Sequence, residues 1–152
     1  MDKSKTAPSL SKRQFLGAAV AASAVSISPS LMAGNQHGHH KAAYSKAVVK
    51  AAEDCVSVGQ ACKAHIYQTL KSKDLSLAEC LLQVRDTIAT CATLVEIVTN
   101  GSAHSKAMAK VCISVCKDCR DECKKHASKH RICKDMADSC DDTIDACLKY
   151  IG

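Results

Sequence analysis

Small and apolar side chains recur every three or four residues along most of the chain after residue 40, with charged and polar side chains between them. That spacing is typical of one face of an amphipathic α-helix. Helix start and stop signals interrupt the pattern near Asp74, at Asn100-Gly101 and near Ser128. We therefore predict four helices, spanning roughly residues 41–72, 75–99, 102–125 and 128–151.

Long helices joined by short polar loops are typical of an antiparallel up-down-up-down four-helix bundle. The composition favours the same all-α fold, because the 152 residues include two Pro, both before Ser30, one Phe, three Tyr and no Trp. We expect residues 41–152 to form this bundle as one domain with a narrow core. The polar segment 34–40, which contains His37, His39 and His40, is predicted to be a flexible leader that either binds metal ions weakly or has no function of its own.

Residues 1–33 have the order of an export signal, with a basic start, an apolar run over 15–27 and a small-residue end. The segment SKRQFL resembles the twin-arginine motif S-R-R-x-F-L, with Lys12 in place of the first Arg. The apolar run is shorter than the roughly 20 residues that a membrane span needs. We predict that the signal is removed after Ala33, which would leave an exported, periplasmic protein with no membrane anchor.

The formal charge of +6 carries little functional information. Half of it lies in residues 1–33, and from Gly34 onward 17 basic and 14 acidic side chains are interspersed along the chain. A nucleic-acid partner is not expected, since the chain has no basic block and almost no aromatic side chains for base stacking. Five carboxylates of the third and fourth helices are predicted on solvated outer faces: Asp118, Asp121, Glu122, Asp141 and Asp142.

All eleven cysteines fall within the predicted helices at separations close to whole helical turns. They are seven residues apart in the first helix, eleven in the second, four, three and four in the third, and seven and seven in the fourth. Every cysteine is therefore predicted on an inner face. The set is Cys55, Cys62, Cys80, Cys91, Cys112, Cys116, Cys119, Cys123, Cys133, Cys140 and Cys147.

The predicted inner stripes contain other residues as well, namely Tyr44, Val48, Ala51, Val58, Ile66, Thr69, Val84, Ile88, Val98, Met108, His126, Met136 and Ile144. Counting residues from the loops at about 1.5 Å each divides the cysteines into three levels along the bundle. The nearest level holds Cys80, Cys123 and Cys133, the next Cys62, Cys116, Cys119 and Cys140, and the farthest Cys55, Cys91, Cys112 and Cys147.

Disulfide bonds explain this pattern poorly. Residues seven apart on one helix are separated by about 10 Å, beyond the usual Cα separation of a bridge, so only cross-helix pairs are possible. An odd number of cysteines also leaves at least one thiol unpaired. A column of buried free thiols without a ligand remains a further alternative, because Cys packs as a small hydrophobic residue.

Thiolates are soft donors that select Cu(I), Zn or iron-sulfur clusters. Structural Zn prefers isolated tetrahedral sites, and the usual iron-sulfur cysteine run is absent. Each Cu(I) replaces one thiol proton, so filling a buried column with Cu(I) leaves its net charge unchanged. The residues therefore favour binding of several Cu(I) ions. A Zn or general soft-metal buffer, and a thiol/disulfide redox protein based on Cys116 and Cys119, remain alternatives.

Four segments carry a resemblance to a known family: CVSVGQACKAHIY, LAECLLQVRDTIATCATL, AMAKVCISVCKDCRDECKK and CKDMADSCDDTIDAC. Together they resemble the bacterial copper storage proteins, cysteine-lined four-helix bundles with exported members. The resemblance implies Cu(I) storage by the cysteines other than Cys112, whose inward position rests on periodicity. Ile66 and Thr143 stand where further cysteines would fit.

The resemblance and the residues together predict a store or buffer of multiple Cu(I) ions rather than an enzyme. Its partners would be copper ions, copper chaperones or cuproenzymes, with a homo-oligomer as a further possibility. Five other side chains are candidate ligands at the bundle mouth or along the core: His65, His126, His130, Met108 and Met136. Helix-end solvation is the alternative for the histidines, and core packing is the alternative for the methionines.

Overall fold

Residues 36–152 form four α-helices connected by short loops. The computed structural model describes residues 36–152, with side chains from Tyr44 onward. The helices are α1 (Gln36–Lys71), α2 (Ala78–Thr99), α3 (Ser105–His126) and α4 (Arg131–Ile151). All regular structure in this part of the chain is helical, which confirms the all-α prediction. The predicted signal peptide lies outside the described residues, as do the side chains of His37, His39 and His40.

The helix starts differ from the predicted ones by a few residues. α1 begins at Gln36, so residues 36–40 of the expected flexible leader have a helical backbone. A nucleated helix gains one hydrogen bond per added residue, which lets a polar flank without proline extend it. The other three helices begin later than predicted because turns occupy the preceding residues. In two of these turns, the side chains of Asp74 and Ser102 accept hydrogen bonds from the backbone N–H groups of Ser76 and His104, respectively.

The end of α2 matches the stop predicted at Asn100-Gly101. Gly101 has φ of +64°, a left-handed conformation that a residue with a Cβ adopts at a cost. Its N–H donates to the Val98 carbonyl at 3.0 Å, and the Ser102 N–H donates to the Ile97 carbonyl at 3.1 Å. These two bonds are the Schellman motif, which satisfies carbonyl groups that the helix end would leave unpaired.

Neighbouring helices run antiparallel around a shared core. Near one end of the bundle His65 of α1 meets His130 of α4, and farther along the Thr143 hydroxyl of α4 donates to the Ala51 carbonyl of α1. Each helix packs against two others, in the pairs α1–α2, α2–α3, α3–α4 and α1–α4. The same reversal relates α2 to α3 and α3 to α4, through the contacts Cys80–Cys123, Cys91–Cys112, Lys106–Ile151 and Arg120–Asp141. None of the described helices combines the length and apolar character needed to cross a membrane.

The buried stripe of α1 lies one residue away from the predicted one at two points. Ala52 and Gly59 are buried, whereas Ala51 and Val58 are only partly so. Tyr44, predicted on the inner face, is 44% exposed. A straight helix drifts relative to a strict seven-residue repeat, so the face that meets the core shifts along a long helix.

The other stripes agree with the structure more closely. In α2 the predicted inner residue Ile88 is only partly buried, and its neighbour Thr87 is buried instead. In α3 Met108 and His126 are likewise half-buried. Every predicted inner residue of α4 is buried, including Met136 and Ile144.

Gly59 allows α1 and α2 to approach closely. A Cβ atom at this position would lie 2.7 Å from Cγ1 of Ile88 and 3.6 Å from Cε of Met136. Overpacking a core costs roughly 1–3 kcal/mol, and replacing a helical glycine with alanine returns up to about 1 kcal/mol. We therefore expect Gly59→Ala to lower the free energy of unfolding by about 1 kcal/mol, measured by urea denaturation of the copper-free, reduced protein.

The matched control is Gln60→Ala, at the exposed neighbouring position. We expect its stability to stay within about 0.5 kcal/mol of the original. A Gly59→Ala protein more stable than the original would show that the two helices have room for the extra carbon.

Candidate metal centre

The eleven cysteines form the largest group of side chains in the core. Each has zero exposure, and each is a free thiol. The inward orientation predicted from helical periodicity is therefore confirmed, including that of Cys112. Their role as metal ligands stays a prediction at this point. All four helices contribute thiols, so an ion in the core has donors from several directions.

Sulfur atoms approach one another across helices and along α3. Between α2 and α3, the Sγ atoms of Cys80 and Cys123 are 3.4 Å apart and those of Cys91 and Cys112 are 3.6 Å apart. Cys116 lies 3.9 Å from Cys91 and 3.8 Å from Cys112. These separations exceed the roughly 2.05 Å of a disulfide bond, so the sulfur atoms are neighbours without being bonded.

Two groups of three thiols are close enough to share one ion. In the first, the Sγ atoms of Cys55, Cys91 and Cys116 lie within 4.8 Å of one another. In the second, those of Cys62, Cys80 and Cys133 do so. Each group takes its three sulfur atoms from three different helices. Three converging soft donors suit a soft ion of low coordination number, and Cu(I) is such an ion.

The grouping corrects two of the predicted levels. Cys62 joins Cys80 and Cys133 near the loops, and Cys116 joins the farther group with Cys55 and Cys91. For Cys116 the division was too coarse, because its sulfur lies within 4 Å of both Cys91 and Cys112. For Cys62 the count was wrong because the connection between α1 and α2 turns back into the bundle. Leu77, directly before α2, is fully buried, so α2 begins deeper in the core than α1 ends.

The core thiols differ in pKa because they lie against one another, some accepting S–H groups of their neighbours and others donating their own. S–H donation from Cys123 and then Cys140 lowers the pKa of Cys119 to about 4. S–H groups of neighbouring cysteines likewise lower the pKa values of Cys55, Cys112 and Cys133. Donation of their own S–H groups, together with burial, raises the pKa values of Cys91, Cys116, Cys123, Cys140 and Cys147. The thiol protons thus lie among closely spaced sulfur atoms, where monovalent metal ions can replace them.

Two of the three predicted mouth histidines contact each other. His65 Nε2 and His130 Nδ1 are 3.0 Å apart, and the rings meet edge to face with centroids 5.1 Å apart. His126 instead contacts the Glu122 carboxylate, with Nε2 3.2 Å from Oε1. All three rings are half-buried at the end of the bundle where the α1–α2 and α3–α4 loops lie. Whether they bind copper stays a prediction.

Glu122 was wrongly predicted to lie on a solvated outer face. It is buried, and pairing with Lys125 and then with His126 lowers its pKa. The sequence did contain a signal for this cluster, since Glu122 precedes Lys125 by three residues and His126 by four, which are the spacings of paired side chains on a helix. Asp118, Asp121 and Asp142 are exposed, as predicted.

Two buried threonines lie within the thiol column. Thr143 donates its hydroxyl to the carbonyls of Ala51 and Ser139, at 3.2 and 2.9 Å. The hydroxyl of Thr87 is buried without a hydrogen-bond partner among the described residues. It is near enough to Cys119 to contribute to the low pKa of that thiol. Sequence reasoning missed Thr87, although its position seven residues after Cys80 and four before Cys91 is a core position.

Comparisons with known proteins agree with the chemistry of these donors. Residues 39–152 match the model of the copper storage protein family, so the match includes all eleven cysteines. Among solved structures, the chain is similar to that of a Cu(I)-bound copper storage protein, BsCsp3, with a TM-score of 0.65 and 26% sequence identity. The similarity covers 72% of this chain and 99% of that one. A comparison with curated proteins finds no match.

Proposed function

Because the chain belongs to the copper storage protein family, we propose that its bundle stores several Cu(I) ions on the core thiolates, outside the cytoplasm. The observation that carries this proposal is the set of buried sulfur atoms contributed by all four helices, with triads drawn from three helices each. All eleven cysteines are proposed as ligands, with each ion held by two or three of them. Uptake exchanges Cu(I) for thiol protons, which keeps the charge of the core constant.

The burial of the thiols weighs against the two alternatives. A redox role for Cys116 and Cys119 would need a partly exposed thiolate, and both residues have zero exposure. Zinc at one ion per thiolate would add uncompensated positive charge to the core. Zinc shared among four thiolates would avoid that excess, but it would leave several of the eleven cysteines without a metal.

We place copper entry at the end of the bundle that carries His65, His126 and His130. Imidazole nitrogen is a good ligand for copper, and these half-buried rings lie closer to solvent than the fully buried thiols. The loading partner there would be a copper chaperone, and the recipient of released copper would be a cuproenzyme. Assembly into a homo-oligomer remains part of the proposal.

Fractionation of bacterial cells grown with added copper tests storage and location together. We expect the chain in the periplasmic fraction, with several copper ions per molecule, little zinc, and eleven thiols that react after a chelator removes the metal without any reductant. Arg13→Lys should retain the chain in the cytoplasm if export uses the twin-arginine route, and Lys3→Arg is the matched control. Fewer than half of the thiols reacting would favour the disulfide alternative over storage.

A further inference from the structure

The thiol column has a gap in the middle of the bundle on three of its four helices. On α1 the cysteines are Cys55 and Cys62, seven residues and about 10 Å apart. On α4, Cys133, Cys140 and Cys147 follow one another at the same interval, and the interval from Cys133 to Cys140 crosses the middle of the bundle. On α2, Cys80 and Cys91 are eleven residues apart, about 16 Å. These distances are several times the 3.4 to 4.0 Å that separates neighbouring sulfur atoms elsewhere in the core.

Buried side chains without a thiol occupy these gaps. They are Gly59 on α1, Thr87 on α2 and Met136 on α4. The Met136 methyl group lies 3.6 Å from the position that a Cβ on Gly59 would take, so it fills the space that α1 leaves there. Thr87 contributes an oxygen and Met136 a neutral thioether, and neither provides the anionic sulfur that binds Cu(I) elsewhere in the column.

Only α3 continues the thiols through this region. Cys119 lies between Cys116 and Cys123, and its Sγ atom is 4.0 Å from that of Cys123. Cys140 of α4 is also near enough to lower the pKa of Cys119. The unpartnered hydroxyl of Thr87 is beside it. We call Gly59, Thr87, Cys119 and Met136 the middle layer.

The remaining thiols separate into two clusters on either side of the middle layer. The outer cluster, at the histidine end, contains Cys62, Cys80, Cys123 and Cys133. The inner cluster contains Cys55, Cys91, Cys112, Cys116, Cys140 and Cys147. Given the storage function proposed above, we propose that the protein holds copper in two compartments, of four and six thiols, between which Cu(I) passes on Cys119.

The passage is a ligand exchange without any change of oxidation state. A Cu(I) ion bound by outer-cluster thiolates gains a bond to the Cys119 sulfur and loses a bond to an outer sulfur, which takes up the proton that Cys119 released. Repetition of the step on Cys140 or Cys116 delivers the ion to the inner cluster. Without Cys119, the nearest thiols on α3 are seven residues apart, and an ion would have to cross about 10 Å without a thiolate ligand.

The far end of the bundle offers no equivalent thiol route. A cavity of about 770 Å³ opens there, lined among others by Tyr44, Val98, Lys106 and Tyr150. None of the described residues lining it is a cysteine. Copper that reaches the inner cluster by thiolate exchange therefore comes through the middle layer.

Removal of copper from the fully loaded chain by excess chelator under anaerobic conditions tests the two compartments. We expect two phases in the original protein, a faster one from the outer cluster and a slower one from the inner cluster. Cys119→Val should slow the slower phase at least about tenfold, which corresponds to 1.4 kcal/mol of added barrier, and leave the faster phase unchanged. The matched control, Cys147→Val, also removes one buried thiol, near the C-terminal end of α4 and away from the middle layer. It should lower the amplitude of the slower phase without changing its rate.

Thr87→Cys gives an independent test should Cys119→Val fold poorly. It adds a thiol to the middle layer and should speed the slower phase at least about tenfold, while Thr93→Cys, on the exposed face of α2, should change neither phase. Equal slow-phase rates in Cys119→Val and Cys147→Val, or no effect of Thr87→Cys, would overturn the proposal. A single phase of copper release from a fully loaded protein would contradict the two compartments but not the storage function. Failure of the storage function would instead appear before this experiment, as near-absence of bound copper in the original protein.

Discussion

Replacing the four cysteines of α3 with alanine is expected to remove more than half of the Cu(I) capacity. These residues contribute to both clusters and to the middle layer, and the shortest sulfur contacts in the core all include one of them. Each ion needs at least two sulfur atoms, and one sulfur atom can bind two ions. Loss of one shared cysteine can therefore remove more than one ion. The variant combines Cys112→Ala, Cys116→Ala, Cys119→Ala and Cys123→Ala, and bound copper is measured after anaerobic loading and removal of free metal.

A matched control changes the outer face of the same helix. Lys110→Ala, Lys117→Ala and Asp118→Ala replace exposed side chains and should leave the copper capacity unchanged. Circular dichroism shows whether both variants keep their helices. A well-folded α3 cysteine variant that still bound most of the original copper would place the store outside the thiol column.

Copper is expected to raise the midpoint of thermal unfolding by at least about 15 °C. A ligand at a thousand times its dissociation constant stabilises the native state by about 4 kcal/mol per site, and 1 kcal/mol shifts the midpoint of a domain of roughly 110 residues by about 4 °C. The native bundle already holds groups of three sulfur atoms together, whereas the unfolded chain must bring them together anew. Copper-free and copper-loaded protein are compared by anaerobic calorimetry.

The α3 cysteine variant serves as the control for this stabilisation, since it should gain much less from copper than the original protein. Midpoints that agree within about 2 °C with and without copper would mean that native and unfolded chains bind the metal equally well. That result would contradict a preformed store in the bundle core.

The helical pattern of the sequence was sufficient to predict the four helices and the inward cysteines, because burial of an apolar face and the 3.6-residue period act locally. The levels of Cys62 and Cys116 were not predictable in this way. The level of Cys62 depends on how far the connection containing Leu77 turns into the core, and that of Cys116 on how α2 and α3 pack together, and both are tertiary features. Relative heights of helices therefore required the structure.

The burial of individual polar residues could not be predicted from the helical pattern either. Glu122 belongs to the polar face by sequence, but its pairing with Lys125 and His126 allows it to be buried. Thr87 replaces its neighbour Ile88 on the inner face of α2, and the close approach of α1 at Gly59 explains why the larger side chain lies at the helix contact. The spacing of the cysteines shows the intervals without a thiol, but the burial of Thr87 and the close approach at Gly59, which define the middle layer, required the structure.

Anaerobic titration of the reduced chain with Cu(I), in competition with a chelator of known affinity, tests the central claim most directly. The storage account predicts that the protein withholds about ten ions from the chelator, roughly one per core thiol, before free copper rises. Titration with Zn(II) under the same conditions should give far fewer ions per chain. Saturation at one or two Cu(I) ions would contradict the account.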